Sequence, residues 1–295
     1  MNRNKWCLGI IISLCLAAGS MLAQAPQGRG GGRGGGAPDT VMPARQLKPG
    51  LFLVTGAGAN TLIRVTTEGL IVVDTKNPGD DQYNGLLAQI KAVSPLPVKY
   101  IINTQHHPDH VGANQKFVDS GATVIGLEAL KTFMASDPRT TALPGRPTQT
   151  FAKDYVLKFG GAEVQAHFYG RGHTGDDTMV YFPDAKVVMI SDEMTDTNPV
   201  IDWANGGSWV EWSKVMDGVL KLDFESAIPG RGEPKTRADV QAFKAKVDLV
   251  ISRANDAIKA GATKETLAMQ VKTDDLAPWN LNAAFFGNLY DELKK

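Results

Sequence analysis

Short apolar runs typical of strands alternate along this chain with stretches that have helical spacing. Three strand-like runs come first, and the Gly- and Thr-containing turns between them predict an antiparallel meander. They cover residues 51–54, 60–66 and 69–74. Residues 80–93 have helical apolar spacing, which Pro95 and Pro97 end. A short buried strand is then predicted at 98–102.

The remainder of the chain repeats this order of strands followed by helices. Residues 114–118 and 127–134 have helical spacing, with a strand at 123–125 between them. Further strands are predicted at 155–159, 163–169, 178–182, 187–191 and 226–229. Helices are predicted at 209–222 and from 236 to the end, with breaks at Gly261 and Pro278. This order of elements predicts two sheets that pack face to face, with helices on their outer sides.

The first 40 residues differ in composition from the rest of the chain. Arg3 and Lys5 precede an apolar run at 6–18 that is too short to span a membrane, and small residues follow it. We therefore predict a signal peptide at 1–25, a Gly/Arg-rich linker at 26–40, and a folded domain at 41–295. The protein is expected to be periplasmic or secreted, with no integral membrane segment after cleavage.

Charge and cysteine content exclude several classes of function. Both cysteines, Cys7 and Cys15, lie in the predicted signal peptide, so the mature chain has no disulfide, thiolate nucleophile or cysteine ligand. Loss of Arg3 and Lys5 leaves 31 basic residues less two against 31 acidic ones, a small net negative charge. Nucleic acid is therefore not an expected partner. A small-molecule substrate is expected, and the oligomeric state stays open.

Histidines and acidic residues cluster at predicted strand ends. Three of the five histidines lie at 106–110, and His173 stands in a Gly-flanked loop. His107 and Asp109 are two apart and can face the same side, while Pro108 suits the first turn of a helix. Imidazole and carboxylate are ligands that zinc-like ions take. A metal site is favoured over a histidine-rich surface turn that binds nothing.

The spacing of these residues matches a known set of motifs. The pattern H-x-H-x-D-H falls on residues 105–110, which read QHHPDH, and G-H-T falls on 172–174. Asp192 takes the position of a bridging aspartate, and 229–232 (PGRG) the position of a late P-G-H-G. Over roughly 45–235 the chain resembles the metallo-β-lactamase-fold hydrolase superfamily, which includes glyoxalase-II-like and β-lactamase-like enzymes. The resemblance implies an α+β fold, the four-layer αββα sandwich, here with C-terminal helices.

The resemblance also implies a dinuclear zinc site and a metal-activated water as nucleophile. Manganese and iron are alternative metals. The implied ligands are Gln105, His107 and His173 for the first metal, and Asp109 and His110 for the second, with Asp192 reaching both. Asp109 and Arg231 are the predicted catalytic residues.

Two residues depart from the superfamily pattern. Gln105 replaces a histidine, and its neutral amide oxygen is a weaker zinc ligand; a local shift that brings in His106 is the less favoured alternative. Arg231 replaces a histidine of the second site, and guanidinium has no lone pair to offer. A unit charge about 5 Å from a divalent ion costs on the order of 6 kcal/mol at an effective dielectric near 20. Arg231 therefore either points away or replaces the second metal beside Asp109 and Asp192.

Other residues near the motifs have two interpretations each. Thr174, Asp176 and Asp177 either orient His173 or form a turn, and Glu233 is a candidate oxygen ligand although a solvated glutamate is favoured. Trp203 and Trp279 are candidate pocket residues, with a place in the core as the alternative. His167, in an alternating strand, is expected to be structural.

The favoured function is an exported zinc-dependent hydrolase that cleaves an ester, thioester, lactone or amide carbonyl. One alternative is a metallo-β-lactamase that hydrolyses β-lactams, which the export signal supports. The other is a metal-poor binding protein that retains the fold and has lost the reaction, for which Gln105 and Arg231 are the evidence.

Overall fold

The first sheet of the protein contains seven strands in sequential order. The computed structural model describes residues 39–295, so the predicted signal peptide and nearly all of the predicted linker lie outside the described residues. The strands are β1 (Arg45–Lys48), β2 (Leu51–Val54), β3 (Thr61–Val65), β4 (Leu70–Val73), β5 (Val98–Ile102), β6 (Thr123–Leu127) and β7 (Gln149–Phe151). Strands β1 to β4 pair antiparallel, and β4 to β7 pair parallel. The intervening helices are α1 (Asp80–Val93), α2 (Pro108–Val111), α3 (Asn114–Val118) and α4 (Glu128–Ser136).

The second sheet has five strands in the order β12-β11-β10-β9-β8. They are β8 (Asp154–Phe159), β9 (Ala162–His167), β10 (Met179–Phe182), β11 (Val187–Ser191) and β12 (Ser226–Pro229). Only β11 and β12 pair parallel. The helices are α5 (Trp209–Leu220), α6 (Arg237–Lys259), α7 (Leu267–Gln270) and α8 (Ala283–Leu293), with 3-10 turns at Trp203–Asn205 and Asp274–Leu276.

Alternating side chains place the two sheets face to face. On β4, Ile71 and Val73 enter the core between the sheets, whereas Leu70 and Val72 pack on the side of α1. On β11, Met189 enters that same central core, while its neighbours contact α5 and α6. A strand side chain alternates between faces, and both faces are covered here, so every residue of β4 and β11 is buried. The predicted four-layer αββα sandwich is confirmed.

The C-terminal helices pack on the outer face of the second sheet through an aromatic core. The ring centroid of Trp209 lies 5.5 Å from that of Trp212, 5.8 Å from that of Trp279 and 4.9 Å from that of Phe285. Edge-to-face pairs of this kind add stabilisation beyond burial alone. Residues 266–295 are thereby attached to α5, the helix that follows the loop after β11.

Predicted and observed elements differ mainly at their ends. Leu127 was predicted as helical, but it ends β6, where it pairs with Phe151 of β7. Strands β1 and β7 were not predicted, because each is an edge strand of three or four residues whose pairing partner is supplied by the fold. Among residues 39–295, none of the helices has the length and apolar content needed to cross a membrane.

Candidate metal centre

The motif residues meet at one edge of the sandwich, beyond the carboxyl ends of four strands. Asp74 follows β4, the segment 105–110 follows β5, Asp192 follows β11, and Arg231 follows β12. His173 reaches the same edge from the loop between β9 and β10. All of the predicted ligands therefore come together, although they are spread along the chain from residue 105 to residue 192.

His107, His173 and Asp192 form a group that fits a metal ion. Each offers a ligand atom, and these atoms all lie within 4.8 Å of one another. His107 Nδ1 is 3.2 Å from His173 Nε2, which is 3.6 Å from Asp192 Oδ2. All three residues are buried. Two imidazoles and a carboxylate are a donor set that zinc takes in catalytic sites.

Hydrogen bonds on the outer side of each ring leave these two histidines with the correct nitrogen free. His173 Nδ1 lies 2.6 Å from the carbonyl oxygen of Val200, so it donates there and Nε2 keeps its lone pair. His107 Nε2 lies 2.9 Å from Asp202 Oδ2, which leaves Nδ1 free in the same way. Burial lowers the pKa of His107 and outweighs the opposing effect of the hydrogen bond to Asp202, so the neutral ring is favoured.

Asp202 is itself held in place by two further side chains. Arg139 contacts both Asp202 and Asp137, and Asn205 Nδ2 donates to Asp202 at 2.8 Å and to Asp137 at 3.2 Å. Burial acts to raise the pKa of Asp202, but the hydrogen bonds from His107 and Arg139 outweigh it and hold the pKa well below its ordinary value. The partner of His107 is therefore a fixed carboxylate.

Asp109, His110 and Asp192 form the second group of candidate ligands. His110 Nδ1 lies 2.8 Å from Asp74 Oδ2, and its Nε2 lies 3.3 Å from Asp192 and 3.6 Å from Asp109. Here too an outer carboxylate orients the ring. Burial opposes protonation, but the charges of Asp109, Asp74 and Asp192 raise the pKa of His110 well above its ordinary value.

Arg231 lies across the two carboxylates of this second group. Its Nη1 is 3.1 Å from Asp192 Oδ1, and its Nη2 contacts Asp109 Oδ2. Burial raises the pKa of Asp192, but Arg231 and then His110 outweigh it and hold that pKa well below its ordinary value. A guanidinium therefore supplies a positive charge to both carboxylates, and that charge opposes the binding of a second divalent ion at this group.

The backbone around Arg231 is held tightly. The Asn60 backbone N–H donates to Gly230 O at 2.7 Å, and Asn60 Nδ2 donates to Pro229 O at 2.9 Å and Gly232 O at 3.0 Å. At Gly230 a Cβ atom would lie 1.7 Å from Asp192 Oδ1. Only glycine allows the Arg231 loop to approach the bridging carboxylate so closely.

Gln105 is buried between the two groups. Its Oε1 accepts the backbone N–H of His107 at 3.2 Å, and its Nε2 donates to Asp192 Oδ2 at 3.1 Å. Rotation of the amide plane by half a turn exchanges these two atoms. In that orientation Gln105 presents an oxygen to a cation beside Asp192, as the predicted ligand set requires, and gives up the hydrogen bond from the His107 N–H.

His106 has no nitrogen free for the group formed by His107, His173 and Asp192. Its Nδ1 lies 2.7 Å from Asp176 Oδ1 and its Nε2 lies 3.1 Å from Asp137 Oδ2, in a fully buried setting. The alternative in which His106 replaces Gln105 does not fit this geometry. His106, His107, Asp137 and Asp202 also lie close enough to hold an ion, but Arg139 already pairs with both carboxylates.

Of the two interpretations given for Thr174, Asp176 and Asp177, the hydrogen bonds favour turn formation. Thr174 N–H donates to Asp177 Oδ2 at 2.6 Å, and Thr174 Oγ1 donates to Asp176 Oδ1 at 2.8 Å, so all three residues shape the loop. The partners of His173 are Val200 and Glu193, whose Oε1 accepts the His173 backbone N–H at 3.0 Å. Burial and then Asp177 raise the pKa of Glu193 well above its ordinary value.

Four remaining candidates lie away from the ligand groups or at their rim. Glu233 pairs with Arg45 at 2.6 Å on the surface, as expected for a solvated glutamate. Trp279 packs in the aromatic core and is buried, so it does not line a pocket, whereas half-buried Trp203 follows Asp202 directly. His167 bonds Asp154 at 2.7 Å on β8.

Four residues that shape the centre were not among those predicted from the sequence: Asp202, Arg139, Asp74 and Lys76. Asp74 ends a strand motif, which was the one available signal for it. The fully buried Lys76 donates to Val54 O and Ala59 O, each at 2.7 Å, behind the Asp109 side of the centre. Burial lowers the pKa of Lys76 to about 7, against the opposing charge of Asp74.

Comparison with known proteins agrees with this fold. The model of the metallo-beta-lactamase superfamily matches residues 54–225. The chain is 27% identical to the metallo-beta-lactamase IND-1 of Chryseobacterium indologenes over 65% of its own length and 79% of that protein. It is 25% identical to the 2,4-dinitroanisole O-demethylase subunit alpha of Nocardioides sp. strain JS1661, over 77% of its own length and 69% of that protein.

Two solved structures show the same fold. A metallo-beta-lactamase from Pontibacter korlensis has a TM-score of 0.63 at 21% identity, with 71% of this chain and 99% of that one covered. A double mutant of the sec-alkyl sulfatase PisA1 has a TM-score of 0.71 at 16% identity, with 85% of this chain and 50% of that one covered. The chain belongs to the metallo-beta-lactamase superfamily, and it is a metal-dependent hydrolase.

Proposed function

We propose that this chain is an exported hydrolase that works with one zinc ion and cleaves an ester, thioester, lactone or amide carbonyl. One observation carries the proposal: the Arg231 guanidinium spans Asp109 and Asp192, the carboxylates that the superfamily pattern assigns to a second metal. In the first group His107 Nδ1 and His173 Nε2 are free of hydrogen-bond donors, whereas Asp192, which both groups share, is paired with Arg231, so the two halves of the centre differ in their capacity for a cation.

The zinc ligands in this proposal are His107 Nδ1, His173 Nε2 and a carboxylate oxygen of Asp192, with the Gln105 amide oxygen as a further donor. Zinc held there supplies a Lewis acid and an acidified water. Manganese and iron prefer overlapping ligands and belong in the same test. Each histidine ligand has a partner on its outer side, which limits the rearrangement that loading requires.

Asp109 and Arg231 are the chain's own reacting groups in this proposal. The Asp109 side chain is 14% exposed and the Arg231 side chain 41% exposed, so both face the open side of the centre. Asp109 accepts a hydrogen bond from the attacking water and orients it. Arg231 remains protonated throughout and donates to the negative charge that develops on the substrate oxygen.

β-Lactam hydrolysis is the second candidate, because a β-lactam is a strained amide carbonyl and several relatives carry that activity in their names. The metallo-beta-lactamases of Elizabethkingia meningoseptica and Bacillus cereus are 28% and 25% identical to this chain over 138 and 193 residues. Against it, the PGRG element at 229–232 resembles the thioester-hydrolase branch of the superfamily more than the lactamase branches.

Metal analysis of full-length protein purified without chelator tests the metal count. Close to one zinc ion per chain is expected, and close to two would overturn the role given to Arg231. The double variant Gln105→His with Arg231→His restores the superfamily residues. A large gain in both metal content and turnover in that variant would identify the natural centre as a degraded one, in a protein that binds without reacting.

A substrate panel tests the reaction. It contains β-lactams, lactones, thioesters, phosphodiesters, 2,4-dinitroanisole and a secondary alkyl sulfate, each with zinc, manganese or iron, and with Asp109→Ala as the control. Turnover of a carbonyl substrate that Asp109→Ala abolishes is expected. Turnover of phosphodiesters, the ether or the sulfate alone would overturn the carbonyl assignment. Export is tested separately, by the cellular fraction and N-terminal residue of the mature protein.

A further inference from the structure

A single loop carries the outer partners of both first-group histidines. The support loop, residues 194–208, joins β11 to α5. Val200 O accepts from His173 Nδ1 at 2.6 Å, and Asp202 Oδ2 accepts from His107 Nε2 at 2.9 Å. The Asp202 backbone N–H also donates to His173 O at 2.8 Å. The direction in which both lone pairs point therefore depends on the position of this one loop.

The support loop is attached near both of its ends to the C-terminal part of the chain. Asn198 Nδ2 donates to Asn280 O at 2.7 Å, and the Asn280 N–H donates back to Asn198 Oδ1. At the other end, Glu292 on α8 accepts from Ser208 Oγ and, at 3.1 Å, from the Trp209 N–H.

Between these two attachments, the support loop also meets α8 through an apolar contact. The Trp203 ring packs edge-on against Phe285 of α8, with 6.4 Å between centroids. Trp203 directly follows Asp202, the partner of His107. The C-terminal segment therefore contacts the support loop before Val200, after Asp202, and at Trp203, the residue next to Asp202.

We infer that the C-terminal segment 279–293 positions the metal centre, with Asn198 and Glu292 as its positioning residues. The family model ends at residue 225, so these contacts come from a part of the chain outside the matched region. A loop of this length loses conformational entropy when it is ordered. The C-terminal contacts order it before any ion binds, so the histidines are already oriented and the affinity for zinc rises.

The inference rests on the proposed zinc site, and its test is the zinc affinity of full-length protein measured by competition with a chromogenic chelator. Asn198→Ala removes both hydrogen bonds to Asn280, and Glu292→Ala removes the contacts to Ser208 and Trp209. Each variant is expected to raise the zinc Kd about tenfold, as loss of a ligand's outer partner does. Asn198→Asp keeps the acceptor and loses the donor, so its zinc Kd should lie between those of wild type and Asn198→Ala.

Asp291→Ala is the matched control, because Asp291 is the neighbour of Glu292 on α8 and pairs with Lys264 instead of the support loop. It should leave the zinc Kd unchanged, and the melting temperature of each metal-free variant separates loss of affinity from loss of folding. Unchanged zinc Kd in folded Asn198→Ala would overturn this inference alone. A wild-type protein that binds no zinc would overturn the proposed function as well.

Discussion

The two halves of the centre are built from similar residues but differ in what satisfies their charge. Around His107 and His173, outward hydrogen bonds leave ring nitrogens free and aimed at one another. Around Asp109 and His110, the carboxylates already hold a guanidinium. In the proposed one-zinc centre, the ion binds at the half whose ring nitrogens are free, and Arg231 supplies the positive charge at the other half, with Asp192 shared between them. The predictions below test that difference, beginning with the largest effect.

Removal of a first-group ligand should have the largest effect. His173→Ala deletes one of two imidazole donors, so zinc affinity should fall by more than about a hundredfold, since even loss of an outer partner costs 10- to 100-fold. Chelator competition measures it. His167→Ala is the control, because His167 pairs with Asp154 in the second sheet, away from the centre. Equal loss in both variants would contradict the assignment of His173 as a ligand.

Removal of Arg231 should destabilise the metal-free protein. Arg231→Met leaves Asp109 and Asp192 without their cation, and breaking such a pair costs about 2 kcal/mol after allowance for the partly exposed guanidinium. Urea unfolding with and without zinc measures it, and zinc should restore stability more in the variant than in wild type. Arg253→Met, which breaks the more exposed pair with Asp275, should cost clearly less. If both variants lowered the free energy of unfolding by the same amount, the distinction between the two halves of the centre would not hold.

Loss of the charged partner of His107 should weaken zinc binding moderately. Asp202→Asn keeps an oxygen for His107 but removes the negative charge that Arg139 and Asn205 hold in place. The zinc Kd should rise about tenfold. Asp154→Asn makes the same change beside His167 and should not alter it. A rise in Kd of the same size in Asp154→Asn would show that the effect is not local to the centre.

Lys76 should make the stability of the metal-free protein depend on pH. Its pKa is about 7 in the folded protein, against an ordinary value of 10.5. Between these values the unfolded chain binds the extra proton, so folding becomes more favourable as pH rises. Relative to Lys76→Met, metal-free wild type should gain at most about 1.4 kcal/mol per pH unit in that window. A stability difference that does not change between pH 7.5 and 9 would contradict the lowered pKa.

The sequence predicted the fold well, because alternation of apolar residues and strand-end motifs are local signals. On β4, Ile71 and Val73 are apolar on one face and Leu70 and Val72 are apolar on the other, which indicates a sheet that is buried on both faces. The sequence did not predict β1 and β7, whose backbone pairing depends on neighbouring strands of the fold. The same limit applied to Trp279, where a candidate pocket residue proved to be part of the core.

For the centre, the sequence by itself determined the residue types: which histidines and carboxylates could bind a metal, and that Arg231 could not. Only the tertiary structure decided which ring nitrogen is free, because that depends on partners such as Asp202 and Val200, which are 95 and 27 positions away from the histidines they orient. It also decided that Arg231 reaches Asp109 and Asp192, a contact that requires β5, β11 and β12 to end at one edge. Ligand chemistry is a property of single residues, whereas charge balance and orientation depend on distances that folding creates.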